Sequence, residues 1–150
     1  MNRTRGSWMA AVTALVALAA GAAWAGTGPK TVVTPKADVR WVDAGIPGVT
    51  KAQVDGDMAA GPSHFYLKYP AGFVTPVHHH SPDHYVTTVS GNLVLITDGK
   101  EQKLAPGSYF ALTGKAKHAA RCEGSEDCVM FIDARGPWDV VPEKQASAKP

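Results

Sequence analysis

Gly72-Phe73-Val74-Thr75-Pro76-Val77-His78-His79-His80-Ser81-Pro82-Asp83-His84-Tyr85-Val86-Thr87-Thr88-Val89-Ser90-Gly91 is the stretch on which the reading of this chain turns. On a strand, side chains two apart share a face, so His78 and His80 point the same way. His79 then points the other way, as a bystander. Ser81-Pro82-Asp83 reads as a turn, and a hairpin there would bring His84 beside the pair. Imidazoles converging from adjacent strands make a transition-metal site, because neutral imidazole suits Zn, Cu, Fe and Ni. Of the six His in the chain, His118 is the fourth member of the pattern.

The segments around this stretch keep a short, regular rhythm. Ser63–Tyr69 alternates and is aromatic, which predicts a strand closed by Pro70-Ala71-Gly72. Further strands are predicted at Val74–His80, His84–Val89, Leu93–Thr97, Ser108–Leu112, Lys117–Cys122 and Cys128–Asp133. Upstream, strands are predicted at Asp38–Asp43 and, more weakly, at Thr31–Thr34 and Lys51–Val54. Turn chemistry separates them: Gly45-Ile46-Pro47-Gly48, Ser90-Gly91-Asn92, Asp98-Gly99, Pro106-Gly107 and Gly124-Ser125. Short strands at even spacing with such turns give an all-β sandwich or barrel. Only Asp57–Ala60 offers a trace of helix in this part of the chain.

The N-terminal segment has a different character. Arg3 and Arg5 precede the apolar run Trp8 to Ala20, and Ala23-Trp24-Ala25 supplies the small residues of a cleavage site. Residues 1–25 therefore read as a secretory signal peptide cut after Ala25. Without it, 125 of the 150 residues remain, and losing two of the 15 Lys+Arg leaves 13 cations against 13 anions. A neutral chain without a basic run argues against nucleic acid as a partner. No later segment approaches the ~18 consecutive apolar residues that a spanning helix needs, so no stable membrane anchor is expected after cleavage. The expected location is periplasmic or secreted. Residues 26–37 read as a flexible arm, 38–143 as one domain, and 144–150 as a disordered tail.

The pattern Gly72-x5-His78-x-His80-x3-His84-x6-Gly91 resembles the first motif of the cupin superfamily, with His84 where most members carry Glu. A second motif is matched less fully. Gly107 and His118 occupy its Gly and His positions, Thr113 and Lys115 replace Pro and Gly, and Cys122 replaces Asn. The resemblance spans about Ser63 to Asp133. It implies a double-stranded β-helix, a jelly-roll cupin barrel, with one divalent transition metal held by His78, His80, His84 and His118. Four neutral imidazoles leave such a site formally +2, which favours an anionic ligand. The metal stays open among Zn, Cu, Fe, Mn and Ni. A closed tetrahedral zinc site and a five- or six-coordinate centre with room for substrate are both compatible with four His.

Strand alternation also sketches a pocket. Val74 and Pro76 share the predicted face of His78 and His80. Val86 and Thr88 share that of His84, and Ala120 that of His118. Tyr66, Lys68, Tyr109 and Arg121 are candidates for a polar lining, whereas Trp41 and Trp138 read as packing at the barrel ends. Cys122 and Cys128 bracket the acidic turn Glu123-Gly124-Ser125-Glu126-Asp127. Across a hairpin they would form a disulfide, consistent with an exported location; the rival reading is a reduced Cys122 thiolate near the metal.

Two functions follow. One is a metal-dependent, oxygenase-type enzyme acting on a small organic molecule, as in the cupin dioxygenases this chain resembles. The absence of an identifiable inward carboxylate argues against reactions that need one as acid or base. The other is a non-catalytic metal or small-ligand binding or sensing module with a zinc-type site, similar to the cupin domain of zinc-binding anti-sigma factors. Homodimerisation through a sheet face is a background expectation that explains none of the histidines.

Overall fold

The most regular element is Ser63–Tyr69, where Phe65, Leu67 and Tyr69 face the core and His64, Tyr66 and Lys68 face out. In this computed structural model, which describes residues 31–144, that strand is β3 of eleven. The others are β1 Val42–Asp43, β2 Thr50–Gly56, β4 His78–His79, β5 His84–Ser90 and β6 Asn92–Thr97, followed by β7 Lys100–Leu104, β8 Tyr109–Leu112, β9 Ala119–Glu123, β10 Cys128–Ala134 and β11 Val141–Pro142. One sheet has the order β1-β2-β3-β10-β5-β8. A second is β7-β6-β9, and β11 pairs with β4. Isolated bridges Val74↔Arg121 and His78↔His118 lay the β4 segment along β9, extending that second layer.

Between the layers lie Phe65, Val86, Leu93, Cys122, Met130 and Ile132, all buried. Burying their apolar surface contributes about 25 cal/mol per Å² removed from water. The architecture is all-β, as the turn spacing predicts, and is the jelly roll that the cupin resemblance implies. Two turns show how the sequence enforces it. Asp98 and Gly99 take φ of 51° and 73° between Thr97 and Lys100, which pair directly. This is the two-residue hairpin turn whose twist matches the flanking strands. Gly91 joins β5 to β6, and a Cβ there would lie 2.6 Å from the Asp127 carbonyl oxygen and 2.8 Å from the Cys128 Cα.

The predicted strand Val74–His80 is broken. Pro76 has no N–H to give a ladder, and the pairing with β9 slips by one residue between Val74↔Arg121 and His78↔His118. A one-residue slip exchanges the faces. Phe73 and Thr75 therefore turn inward, while Val74 is 60% exposed, contrary to the expected lining. Likewise the Ser81-Pro82-Asp83 turn is no hairpin: β4 pairs with β11 and β5 with β10 and β8, so the turn is a corner between sheets.

Other differences are local. Asp38–Asp43 is strand only at Val42–Asp43, because Lys36–Asp38 is a short 3₁₀ turn following Pro35. Thr31–Thr34 forms no strand, and residues 31–37 are exposed. At 57–61 the chain makes one turn, with Gly61 N–H donating to the Asp57 carbonyl at 2.9 Å. β7 is polar up to its last residue, Leu104, and lies on a sheet edge, so it lacks the alternation that signals a strand. The predicted leader at 1–25, residues 26–30 of the predicted arm and residues 145–150 of the predicted tail lie outside the described residues. Among the described residues no helix is long and apolar enough to cross a membrane.

Candidate metal centre

Four imidazoles meet at one end of the space between the layers. His78 comes from β4, His80 from just beyond it, His84 from the start of β5, and His118 from the residue before β9. All four are buried. Ring centroids are 4.3 Å apart for His78 and His118, 5.0 Å for His78 and His80, and 4.7 Å for His80 and His84. His78, His80 and His118 each offer a ligand nitrogen within 4.8 Å of the others. His84 stands beside them, edge-on to His80, outside that tightest group.

Hydrogen bonds fix the tautomers. Nδ1 of His78 donates to the Pro76 carbonyl at 2.8 Å, Nδ1 of His118 to Ala116 at 3.0 Å and Nδ1 of His84 to Pro82 at 3.2 Å. Nδ1 of His80 donates to the carbonyl of Asp139. A carbonyl oxygen only accepts, so each ring carries its proton on Nδ1 and keeps the Nε2 lone pair free. This second-sphere arrangement is the one that orients histidine as a metal ligand. Three of the four carbonyls lie two residues before their own histidine, so the bend in the chain and the ring orientation are one feature.

Burial keeps the rings neutral. It pushes His80 down to about 3 and His118 to about 4, partly opposed by the hydrogen bonds to Asp139 and Ala116 and reinforced by neighbouring imidazoles. His78 and His84 are lowered for the same primary reason. Burying a charged imidazolium without a counterion is unfavourable, whereas a neutral imidazole there is a ready ligand. Buried, neutral, Nε2-exposing imidazoles therefore fit a divalent transition metal.

Trp138 is a major part of the site. Its ring stacks on His80 at 4.0 Å, meets His84 edge-on at 5.0 Å and packs against Phe65 at 5.0 Å. The sequence placed it only at a barrel end, because nothing local tells which ring it will meet. His79 faces away, as alternation requires, and its Nδ1 donates to Glu143 Oε1 at 2.7 Å. Glu143 also pairs with Lys117 at 2.8 Å, tying the C-terminal strand over β4.

A cavity of about 490 Å³ opens beside His78 and His80, walled by Leu67, Tyr69, Phe73, Thr75 and Trp138. Pro76 reaches it, whereas Val86 and Ala120 line the narrow space among His80, His84 and His118. Thr88 is buried on the inner side with its hydroxyl unpartnered. None of the four polar candidates lines the cavity. Tyr66 lies on the outer face against Trp41 and Phe131, with Lys68 over Trp41. Tyr109 is 62% exposed, and Arg121 pairs with Glu101 and Glu123. Trp41 thus packs on the outside of the sheet, not at a barrel end. Cys122 and Cys128 stand at disulfide distance, with Cα atoms 5.7 Å apart, and neither belongs to the group of side chains placed to share a metal.

Residues 65–133 match the family described as a cupin domain. No curated protein matches the chain. Among solved structures, an RmlC-like cupin protein from Ralstonia eutropha is similar with a TM-score of 0.64 and 24% identity, over 77% of this chain and 75% of that one. The polyketide cyclase RemF from Streptomyces resistomycificus gives 0.63 and 17%, over 80% and 89%. KdgF from Halomonas sp. gives 0.59 and 19%, over 72% and 94%. At these identities the likeness is one of fold.

Proposed function

We propose that this chain, whose residues 65–133 match the cupin-domain family, holds one divalent transition metal in its buried imidazoles and that the centre serves an oxygenase-type reaction on a small organic molecule. The observation that carries the reading is the common tautomer: four Nε2 lone pairs are left free, and two of the four rings, His78 and His80, line an open cavity. His78, His80 and His118 are the inner ligand set, with His84 as the fourth. A metal bound there supplies Lewis-acid or dioxygen chemistry. The chain's own residues supply the rest. Trp138 and Phe65 exclude water from one side of the imidazoles, and Leu67, Phe73 and Tyr69 give a substrate an apolar wall.

Acid–base chemistry by a carboxylate is disfavoured. Among the described lining residues of the cavity the one carboxylate is Asp139, whose oxygens accept from Ser81 N–H at 2.7 Å and Ser81 Oγ at 2.6 Å. A second reading, a zinc-type binding or sensing module, is favoured by Trp138 stacking directly on His80, which narrows access to the cluster. Export to an oxidising compartment is part of the proposal, supported by the sequence of residues 1–25 and by the Cys122–Cys128 bond.

Elemental analysis of protein recovered from the periplasm, followed by oxygen-electrode assays with enolisable and phenolic compounds, separates these readings. A redox-active metal near one per chain with substrate-dependent oxygen uptake is the expected result. Stoichiometric zinc without uptake moves the assignment to the binding module. No metal in protein that is folded and exported overturns both.

A further inference from the structure

A lysine stands on the inner face of the large sheet. Lys51 of β2 is paired directly with Leu67 of β3, and residues directly opposite in an antiparallel pair share a face. Leu67 belongs to the buried core, so Lys51 also points inward, and its side chain lines the same cavity as His78 and His80. Lys51 is half-buried. Among the described residues the lysine ion pairs are Lys103 with Glu123 and Lys117 with Glu143; Lys51 has none. An inward, partly desolvated ammonium without a counterion is unfavourable unless something supplies the charge.

The rest of the wall points the same way. Thr75 Oγ1 accepts from Ala120 N–H at 2.8 Å, which leaves its hydroxyl hydrogen free to donate. Burial pushes the Tyr69 phenol up to about 12, so it stays a protonated donor. Asp139 is already occupied by Ser81. Between these groups the surface is apolar: Ile46, Leu67, Phe73 and Trp138. A wall of donors around an apolar body selects an anion with an apolar skeleton.

We propose that the cavity binds a small carboxylic acid with an apolar, preferably aromatic, body, its carboxylate paired with the Lys51 ammonium and its far end directed toward His78 and His80. The direction of the far end rests on the metal-centre reading; the pairing at Lys51 does not. A charge-assisted pair at this depth makes the acid bind at least about tenfold tighter than a neutral isostere.

The test is calorimetric titration of the protein with benzoate, phenylacetate and 2-naphthoate, each beside its alcohol counterpart. Chelator-treated wild type is expected to prefer the acids about tenfold, Lys51→Met to lose that preference and Lys51→Arg to keep it. Equal binding of acid and alcohol by wild type, equal acid binding by wild type and Lys51→Met, or no binding of any of the three acids overturns the proposal. The wild-type comparison needs no variant, so a folding defect in Lys51→Met leaves it decisive. A chain that takes up no metal yet keeps the preference sinks the metal reading and leaves this one standing; one metal per chain without the preference does the reverse.

Discussion

Trp138 stacks on His80 with ring centroids 4.0 Å apart and planes inclined by 23°. The two residues are 58 positions apart in sequence, and the contact is fixed from both sides. Trp138 N–H donates to the Met58 carbonyl at 2.8 Å, and the carbonyl of Asp139 receives Nδ1–H of His80. The C-terminal segment thus sets both the orientation of a candidate ligand and the wall beside it.

That contact gives an optical readout. In protein lacking residues 1–25, Trp41 and Trp138 are the two tryptophans, and Trp41 lies on the outer face of the large sheet. Titration with Cu(II) is expected to quench the emission of wild type strongly and that of Trp138→Phe weakly. Equal quenching in both proteins would place the ion away from His80. Trp138→Ala should also lower stability by about 2–3 kcal/mol through lost packing of a half-buried indole.

The histidines differ in what their removal does. His78→Ala, His80→Ala and His118→Ala are each expected to weaken metal affinity by at least about 100-fold, since ligand loss exceeds the effect of losing a second-sphere partner. His84→Ala should weaken it less, as that ring stands outside the tightest group. His79→Ala should leave it unchanged, because that ring pairs with Glu143. Metal competition titrations across the five variants check the order.

The pH dependence of the metal-free protein follows from the depressed imidazoles. With folded values of about 3 for His80 and 4 for His118 against 6.5 in the unfolded chain, the unfolded state binds more protons below pH 6.5. Stability is therefore full above pH 6.5 and falls as the pH drops toward 4 and then 3. Each group contributes at most about 1.4 kcal/mol per pH unit in its window. Urea midpoints measured from pH 7.5 to 4 check it; midpoints flat across that range would mean the imidazoles are not buried.

Reduction of Cys122–Cys128 removes a bond closing a short loop at the end of β9 and β10. The loss is expected to be about 2 kcal/mol on the loop-entropy account. Metal stoichiometry should survive, since neither sulfur belongs to the imidazole cluster. Thermal melts and elemental analysis of Cys122→Ala/Cys128→Ala protein, with and without added metal, test both halves.

Gly91→Ala should be among the more damaging single-methyl additions. Its φ of 75° disfavours any side chain, and the new Cβ would meet the backbone of Asp127 and Cys128. A cost of about 2 kcal/mol or more is expected. Gly99→Ala, where the positive φ is shared but the space is open, should cost less. Paired chemical denaturation of the two variants separates strain from contact.

The fold and the imidazole pattern were legible in the chain because both are carried by local rules. Period-two alternation and turn chemistry between short strands are properties of a few adjacent residues. So is the equivalence of His78 and His80. A one-residue slip is also local in extent, but it depends on which partner strand is met. That is why alternation carried back through Pro76 put Val74 inside when Phe73 and Thr75 are there.

The sequence by itself determined an all-β chain of short strands and the histidines that gather, and its motif implied the jelly roll. Tertiary structure alone decided what surrounds them. Trp138, the Asp139 carbonyl and Lys51 reach the site from segments distant in sequence, and Lys51 sits in a strand whose inner and outer residues the alternation left indistinct. The physical reason is that a strand's own pattern says which residues share a face. Only its pairing with another strand says which way that face looks.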